Sequence, residues 1–522
     1  MGKAVKASAK RGGGGGKLEI GLHDPGMTLL HRVGLAGLWM TLEQLEMENK
    51  GKKELGQGTW SRTPTSVTIE WLGNGDSFFK ELFARSFKID KNGLVWLAAL
   101  GEPSLYPESA VVLNEALLGT FLQHGGTRKA DASAKPAGTI SSTVDDNTYV
   151  FQYHRFMEYS HQNQPFFPEK TNTLAGWLYP GGVVRHSAFG QKSTLLEEDP
   201  SRALALRYAP AGVIYFEIRT RKAGIRPKFA LVIPYIKDLE RYSDIRRVFL
   251  KQGVSVLYAS GVADAGYRVL AEMHSSDLLE EMGLASCRVI SFGTVPWSTQ
   301  QKTRVEILTV NAGTVTAIEI YKRSRIALPN RFIKPEKKEP FWDIPQVLEL
   351  VAQNLSKGQP WWNDFSVFIT DKSVREHVFA YEKGGLAEMV NDEVVMPESA
   401  EKTIVKACQE AWRRRMGKIG EKARREGSSF RDQVNREFEK TRVEFSRCKN
   451  AAALRQTLTD FWARGGPLPP LQEGWQDVLP LLDEMNWRKV RDLALLALAS
   501  YKPASKLEEE ALTVQASETE EV

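Results

Sequence analysis

The sequence predicts an α+β protein, in which a large mixed N-terminal region is followed by an all-helical C-terminal domain. Short β-branched segments of strand character recur up to residue 321, with helical patterns between them but no regular alternation of strand and helix. Beyond residue 343 strand character nearly vanishes and apolar residues keep helical spacing. A Pro- and Lys-rich connector at 331–343 separates the two regions.

Seven segments of the N-terminal region are predicted as strands: 66–72, 147–156, 212–221, 229–236, 287–295, 304–310 and 313–321. Asn311 and Ala312 separate the last two, so a tight hairpin is predicted there. Residues 107–125 have a helical pattern.

In the C-terminal region three sets of apolar residues keep helical spacing, and only 364–370 retains strand character. The sets are Ile344, Val347, Leu348, Val351 and Leu355; Leu454, Leu458 and Trp462; and Val478, Leu481, Leu482 and Met485. The apolar segment 493–501 is about half of the roughly 20 residues that cross a bilayer, so it is predicted as a buried helix. The predicted domains are a disordered basic arm (1–17), an α+β body (18–340), a helical bundle (341–503) and an acidic disordered tail (504–522).

Composition narrows the class of protein. The 522 residues contain only three cysteines, Cys287, Cys408 and Cys448, too few for a disulfide framework or a cysteine-only zinc site. The N-terminus lacks the apolar centre of a signal peptide. We therefore expect a cytoplasmic protein without membrane contact.

Charge is unevenly distributed. Residues 401–450 contain fifteen Lys and Arg against eight Asp and Glu, whereas 506–522 is acidic. A basic block on helices indicates a polyanionic partner, although a solvated helix face gives similar counts.

The segments that resemble enzymatic motifs are incomplete. The segment "RGGGGGKL" places Leu18 where a phosphate loop needs Ser or Thr, and "GQKST" separates its glycine from Lys192. No Ser, Cys or Thr stands in a recognisable nucleophile setting. The sequence therefore predicts no catalytic residue and no cofactor.

The adjacent His23 and Asp24 raise the question of a metal site. Two neighbouring side chains cannot fill a coordination shell, and the other histidines show no helical i, i+4 pairing. Asp24, Pro25 and Gly26 instead suit a type II turn, with Thr28 capping the next helix. In that helix Gly34 and Gly37 would allow another backbone to approach closely.

Four segments combine amides, cations or aromatic rings in ways that suit nucleic acid. Amides hydrogen-bond base edges, and cations bind phosphates. A polar loop remains the alternative for the segment 296–304. The candidate residues are Arg128 and Lys129; Gln162, Asn163 and Gln164; Gln300, Gln301, Lys302 and Arg304; and, in the basic block, Arg413, Arg415, Lys418, Arg424 and Arg425. Arg413, Arg414 and Arg415 occupy almost a full helical turn, so they cannot all face one ligand.

Four stretches in this order carry a family resemblance: "LHDPGMTLLHRVGLAGL", "GWLYPGGVVRH" (176–186), "PWSTQQKTR" (296–304) and "KGQPWWNDF" (357–365). They resemble the large subunit of type I CRISPR Cascade surveillance complexes, in the DevT-like group described from myxobacteria. The resemblance covers most of 18–370. The C-terminal third resembles, in its helical character only, the small-subunit-like domain that closes many such large subunits.

The resemblance implies a non-catalytic subunit. Such subunits contact the 5′ end of the crRNA and the backbone subunits, inspect duplex DNA for a protospacer-adjacent motif (PAM), and help to open it into an R-loop. The helical domain would hold a DNA strand. Met389, Met396 and Met416 permit an internal start that would make a separate small subunit. The recruited effector is either a helicase-nuclease or transposition proteins.

Two other functions stay open on the sequence. One is a metal-dependent nuclease that uses His23 and Asp24. The other is a free-standing nucleic-acid-binding protein that needs no partner.

Overall fold

The computed structural model divides the chain into two compact units, residues 1–310 and 311–522. This division falls before the connector at 331–343, whereas the sequence places the boundary within the connector, between residues 340 and 341. The structure describes residues 14–102, 107–122, 129–130, 138–144, 147–158, 165–173, 197–218, 228–251, 253–275, 286–297, 300–333 and 341–502.

The first unit mixes strands and helices. Its helices are α1 (Leu29–Glu48), α2 (Asp76–Ser86), α3 (Pro107–Gly119), α4 (Pro200–Gly212), α5 (Leu239–Lys251) and α6 (Val262–Ser275). Its strands are β1 (Gly15–Gly21), β2 (Glu54–Leu55), β3 (Gly58–Arg62), β4 (Ser66–Leu72), β5 (Phe87–Ile89), β6 (Val95–Leu97), β7 (Lys129–Ala130), β8 (Gly138–Val144), β9 (Asn147–Tyr153), β10 (Phe156–Glu158), β11 (Asn172–Thr173), β12 (Glu197–Glu198), β13 (Ile214–Ile218), β14 (Lys228–Pro234), β15 (Tyr258–Ala259), β16 (Ser286–Trp297) and β17 (Gln300–Asn311).

Two larger sheets organise this unit. Strands β1, β4, β3 and β2 form an antiparallel sheet in that order. The second sheet has the order β15-β13-β14-β16-β17, in which β13 pairs with β15 in parallel and with β14 antiparallel. Strand β17 therefore forms one edge of this sheet. The remaining strands form two-stranded pairs, among them β7 with β10 and β8 with β9.

Helices α1 and α4 pack at unusually short range because glycines face the partner backbone. A Cβ added to Gly34 would lie 2.0 Å from the carbonyl oxygen of Ala205, and one on Gly212 would lie 1.8 Å from that of Val33. No real Cβ tolerates such distances, so the contact requires glycine at these positions. The predicted close approach through Gly34 is confirmed.

The second unit is mainly helical. Its strands β18 (Arg331–Ile333) and β19 (Phe341–Asp343) form one antiparallel pair. Its helices are α7 (Val315–Ala327), α8 (Val347–Ser356), α9 (Phe365–Phe368), α10 (Lys372–His377), α11 (Lys383–Asn391), α12 (Ala400–Glu426), α13 (Phe430–Ser446), α14 (Ala451–Gly465), α15 (Pro469–Val478) and α16 (Trp487–Ala499). From 344 to 502 all regular structure is helical, which confirms the predicted α+β class with its helical C-terminal region.

Buried carboxylates cap two of these helices. Glu382 accepts hydrogen bonds from the backbone N–H groups of Gln346 (2.6 Å) and Val347 (3.0 Å) at the start of α8. Asp492 on α16 likewise accepts from the N–H groups of Asp364 (2.9 Å) and Ser366 (3.0 Å) around the start of α9. Burial raises the pKa of Asp492. These contacts satisfy helix N-terminal donors that would otherwise lack partners.

Three local predictions are wrong. Residues 313–321, predicted as a strand after a hairpin at Asn311 and Ala312, begin helix α7, because the Thr314 side chain accepts from the N–H of Ala317 and caps the helix. Residues 364–370 contain the short helix α9 instead of a strand. The helix predicted from Val478 to Met485 is instead a 3-10 turn at Leu479–Leu482. Met485, which follows this turn, is exposed.

Candidate nucleic-acid interface

The predicted base-reading segment lies on a pair of neighbouring strands. Strand β16 ends at Trp297 and β17 begins at Gln300, so Gln300, Gln301, Lys302 and Arg304 belong to β17 itself and not to a loop that precedes a strand. The structure thus places these residues along the edge strand of the five-stranded sheet. The side chains of these four residues are not among those that the structure describes.

Of the candidate residues at 128–129 and 162–164, the structure describes only Lys129, which lies in the small β7/β10 sheet. Lys129 of β7 pairs with Glu158, the last residue of β10. The chain then continues from Glu158 towards Gln162, Asn163 and Gln164, which, like Arg128, lie outside the described residues. The backbone therefore brings two segments that are about thirty residues apart to one strand pair.

Helix α12 carries the first half of the basic block. Ser399 caps it by accepting from the N–H of Lys402, and Gly427, with φ of +61°, ends it. Its buried positions include Ile404, Cys408 and Ala411, spaced as one face of a helix. Burial of this face fixes which cations of the helix can reach solvent.

The three consecutive arginines of α12 do not all share one partner, which agrees with the prediction that they cannot all face one ligand. Arg413 makes two hydrogen bonds to the carboxylate of Glu410, each 2.8 Å long, and Arg414 makes a third. These bonds lower the pKa of Glu410 to about 2, so its carboxylate stays ionised. Arg415 pairs with Glu437 of α13 and its side chain is only 15% exposed. Arg415 therefore joins two helices.

The remaining predicted cations of α12 point to solvent. The Lys418 amine donates to the carbonyl oxygen of Arg464, 2.8 Å away. Arg424 and Arg425, in the last turn of the helix, are exposed and form no ion pair with another described residue. Of the five residues predicted on α12, these two arginines are the best placed to bind a phosphate.

Helix α13 adds cations that the predicted site residues do not include. Arg436 and Lys440 lie on the helix, and Arg447 is its C-cap residue. All three are exposed and have no ion-pair partner among the described residues. At about 100° per residue they fall within an arc of about 40° on one side of the helix. We call these three residues the α13 stripe. Their i, i+4 and i+11 spacing is visible in the sequence, but their exposure is not.

Two protein-family models match parts of this chain. A family model described as the DevT N-terminal domain matches residues 19–207, and one described as the DevT C-terminal domain matches residues 392–522. Together the two matches cover more than half of the chain. The chain belongs to the DevT family.

The DevT family match is accompanied by a relative of known designation. The chain is 28% identical over 520 residues to the CRISPR-associated protein Cas8a1/Csx13 of Myxococcus xanthus (strain DK1622). The match covers 93% of this chain and 88% of the relative. Together these findings confirm the resemblance to DevT-like large subunits.

The DevT matches divide the candidate residues. The C-terminal match contains the basic block of α12 and α13, and the N-terminal match contains the His23–Asp24 pair and residues 128–164. Residues 300–304 fall between the two matches. The prediction that residues 300–304 bind nucleic acid therefore draws no support from the family models.

The His-Asp pair of this DevT protein forms a turn. Asp24 Oδ2 accepts from the N–H of Gly21 (2.7 Å), and the N–H of Met27 bonds the Asp24 carbonyl (3.2 Å). Gly26 has a φ of +85°, as the third position of a type II turn requires. Thr28 then caps α1, with its hydroxyl 2.7 Å from His31 Nδ1. The predicted turn and cap are confirmed.

His31 is the buried member of this group. Its Nε2 lies 3.6 Å from the carboxylate of Glu198, and burial lowers its pKa despite that neighbour. Within the residues that the structure describes, no three His, Cys, Asp or Glu side chains come together in a way that could hold a metal ion. Nor does any described helix have the length and apolar character needed to cross a membrane.

Proposed function

We propose that this DevT-family chain is the non-catalytic large subunit of an RNA-guided type I CRISPR Cascade complex. In this role it recognises the PAM in duplex DNA, helps to unwind the duplex and stabilises the R-loop. Its partners would be the crRNA, the target DNA, the Cascade backbone subunits and a recruited helicase-nuclease or transposition protein. The observation that carries the proposal is the match to both DevT domains, together with the CRISPR-associated relative.

The second unit supports binding of the nucleic-acid backbone. Arg424, Arg425 and the α13 stripe supply five exposed cations on two consecutive helices. Cations of this kind bind phosphates without reading sequence and release counterions, so binding weakens as salt increases. Sequence reading is assigned in this proposal to the β16–β17 pair of the first unit.

Assembly tests the proposal. The chain, carrying an affinity tag, is co-expressed with the genes beside its own and with a CRISPR array. We expect it to co-purify with protein partners and with crRNA in one complex. That complex should bind duplex DNA that matches the guide. Co-expression without the array is the control. A chain that elutes alone, without RNA, whenever the array is present would refute the proposal.

A further inference from the structure

A cleft in the second unit has no role in the interface described above. It has a volume of about 480 Å³, within the range of ligand sites. Helices α11 and α12, the start of α15 and the end of α16 surround it. Lys406, Gln409, Glu410 and Arg413 line it from one face of α12, at i, i+3, i+4 and i+7.

The charged groups of the cleft favour an anion. Lys406, Arg413 and Lys502 contribute three positive charges against the single negative charge of Glu410. Lys502 is exposed and makes no ion pair with a described residue. Lys406 reaches Glu398, but that carboxylate is 62% exposed and lies outside the cleft lining. An exposed pair of this kind is weak and can be exchanged for another anion.

The other walls suit the less polar part of a ligand. Pro469, Pro470 and Ala387 present apolar surface, and Tyr501 is buried at the edge. The Ser500 hydroxyl accepts a hydrogen bond from Gln409 Nε2 (2.9 Å), which fixes the positions of these two polar side chains in the cleft lining. Apolar walls beside a cluster of cations match the sugar and phosphate of a nucleotide.

Lys383 adds a fourth cation next to the cleft. It lies on α11 one turn before the lining residue Ala387, and its amine is 5.7 Å from the centre of the Tyr501 ring. No described carboxylate pairs with it. Burial lowers the pKa of Lys383 to about 8, which shows that its charge lacks compensation. An anion in the cleft would supply that compensation.

We propose that this cleft binds one nucleotide of an unpaired nucleic-acid strand, with the phosphate held by Lys406 and Lys502 beside the Arg413–Glu410 ion pair and near Lys383. The proposal rests on the proposed function, because it assigns a strand-binding site to the helical unit. It differs in location from Arg424, Arg425 and the α13 stripe.

The full-length chain with a fluorescein-labelled oligothymidylate tests the assignment. Lys406→Ala/Lys502→Ala should weaken binding several-fold and reduce the slope of log K against log salt by about 0.7, the value for one phosphate contact on a single strand, because both lysines hold the same phosphate. Lys357→Ala/Lys489→Ala removes two exposed lysines of the same unit outside the cleft and is the matched control. Equal affinities for the two double variants would overturn the assignment.

Chemical labelling reports on the cleft directly. At pH 8 the Lys383 amine should react with an acetylating reagent, and the oligothymidylate should protect it while Lys357 and Lys489 remain reactive. Inorganic phosphate in place of the oligothymidylate shows whether an anion alone suffices. Protection by neither probe would overturn the proposal. If the oligothymidylate binds without protecting Lys383, the cleft assignment fails while the proposed function stands. No binding by any form at low salt would refute strand binding by this chain altogether.

The test also has to distinguish a strand from the acidic segment 506–522, whose carboxylates could compete for the same cations. If deleting that segment changes Lys383 labelling whereas the oligothymidylate does not, the cleft binds carboxylates of its own chain, and the nucleotide assignment is wrong.

The assignment also has a pH signature. The charged residues of the lining are Lys406, Glu410, Arg413 and Lys502, and Lys383 lies next to the cleft, against the Tyr501 ring. Its charge is present below a pKa of about 8 and is lost as the pH rises through that value. Affinity for the oligothymidylate should therefore fall on raising the pH through about 8, and Lys383→Met should remove that dependence. Identical pH profiles for the wild type and Lys383→Met would count against contact between Lys383 and the ligand.

Discussion

Glu410 accepts hydrogen bonds from Arg413 and Arg414, and so neutralises two of the cations that the sequence counts in the basic block. Arg415 is neutralised by Glu437 on the next helix. Three consecutive arginines therefore contribute mainly to helix stability. The net positive charge available to a phosphate lies further along, at Arg424 and Arg425.

The pH dependence of the free energy of unfolding tests whether the ion pairs of Glu410 stabilise the fold. The pKa of Glu410 falls from 4.5 to about 2 on folding. Its ion pairs therefore stabilise the fold above pH 4.5, and that stabilisation is lost as the pH falls from 4.5 through about 2. Urea unfolding should show that Glu410→Gln lowers the free energy of unfolding at neutral pH, by a difference that shrinks towards pH 2.

The control for this variant is Glu421→Gln, on the same helix, where the carboxylate is exposed and forms no ion pair with a described residue. We expect little change at any pH. A Glu410→Gln deficit that persists undiminished at about pH 2 would show that the ion pairs are not its source.

Predictability at this scale depends on the separation of the residues in sequence. The Asp24–Gly26 turn and the Thr28 cap were predictable because their partners lie within a few residues. The Glu410–Arg414 pair has helical i, i+4 spacing and is also local. The Arg415–Glu437 pair spans two helices, so only the fold reveals it.

Among the elements, α7 shows where pattern reading fails. Residues 313–321 are rich in β-branched residues and alternate, which is typical of a strand. The buried residues Ile318, Tyr321 and Ser324 instead follow a helical period that extends beyond the segment. Local propensity was overridden by packing and by the Thr314 cap. Helices α8 and α14 were predicted correctly because their apolar residues keep the helical period throughout.

Neighbouring glycines of α11 give a matched test of packing. A Cβ on Gly385 would lie 2.3 Å from the carbonyl oxygen of Ala327 on α7, whereas one on Gly384 would meet nothing within 4 Å. We expect Gly385→Ala to destabilise the second unit by about 1–3 kcal/mol through overpacking. Gly384→Ala should stabilise it by up to about 1 kcal/mol through helix propensity.

Thermal unfolding followed by circular dichroism measures both changes. Opposite signs are the expected result. Equal effects of the two substitutions would show that the short distance at Gly385 relaxes without cost.

For the whole molecule, the proposal separates sequence reading from phosphate binding. Arg424→Ala/Arg425→Ala should weaken duplex binding by the assembled complex on every sequence and reduce the salt slope by about 1.8, at about 0.9 per contact. Gln300→Ala/Gln301→Ala/Lys302→Ala should instead reduce discrimination between duplexes with different flanking motifs. Binding curves on a panel of duplexes distinguish these outcomes.

Arg415→Ala provides the control for charge alone. It removes one cation of the same helix, but this cation is paired with Glu437. We expect a lower melting temperature and an unchanged salt slope. If the triple variant lowers affinity uniformly and the Arg424/Arg425 variant alters motif preference, the two regions have been assigned the wrong way round.

At this scale the sequence was sufficient for the class and the family. The ordered motifs indicated the DevT-like group, and the loss of strand character after residue 343 indicated the helical region. The cleft of the second unit could not be predicted, because its lining comes from four helices between Ala387 and Lys502. Only their packing brings Lys383 close to Tyr501.

The contact between α1 and α4 has a mechanical consequence. With Gly34 and Gly212 against carbonyl oxygens of the opposite helix, sliding one helix along the other would drive larger side chains into that backbone. Interiors packed in this way have low compressibility and transmit strain. The pair should therefore resist shear, so that a displacement of one helix is transmitted to the other with little loss.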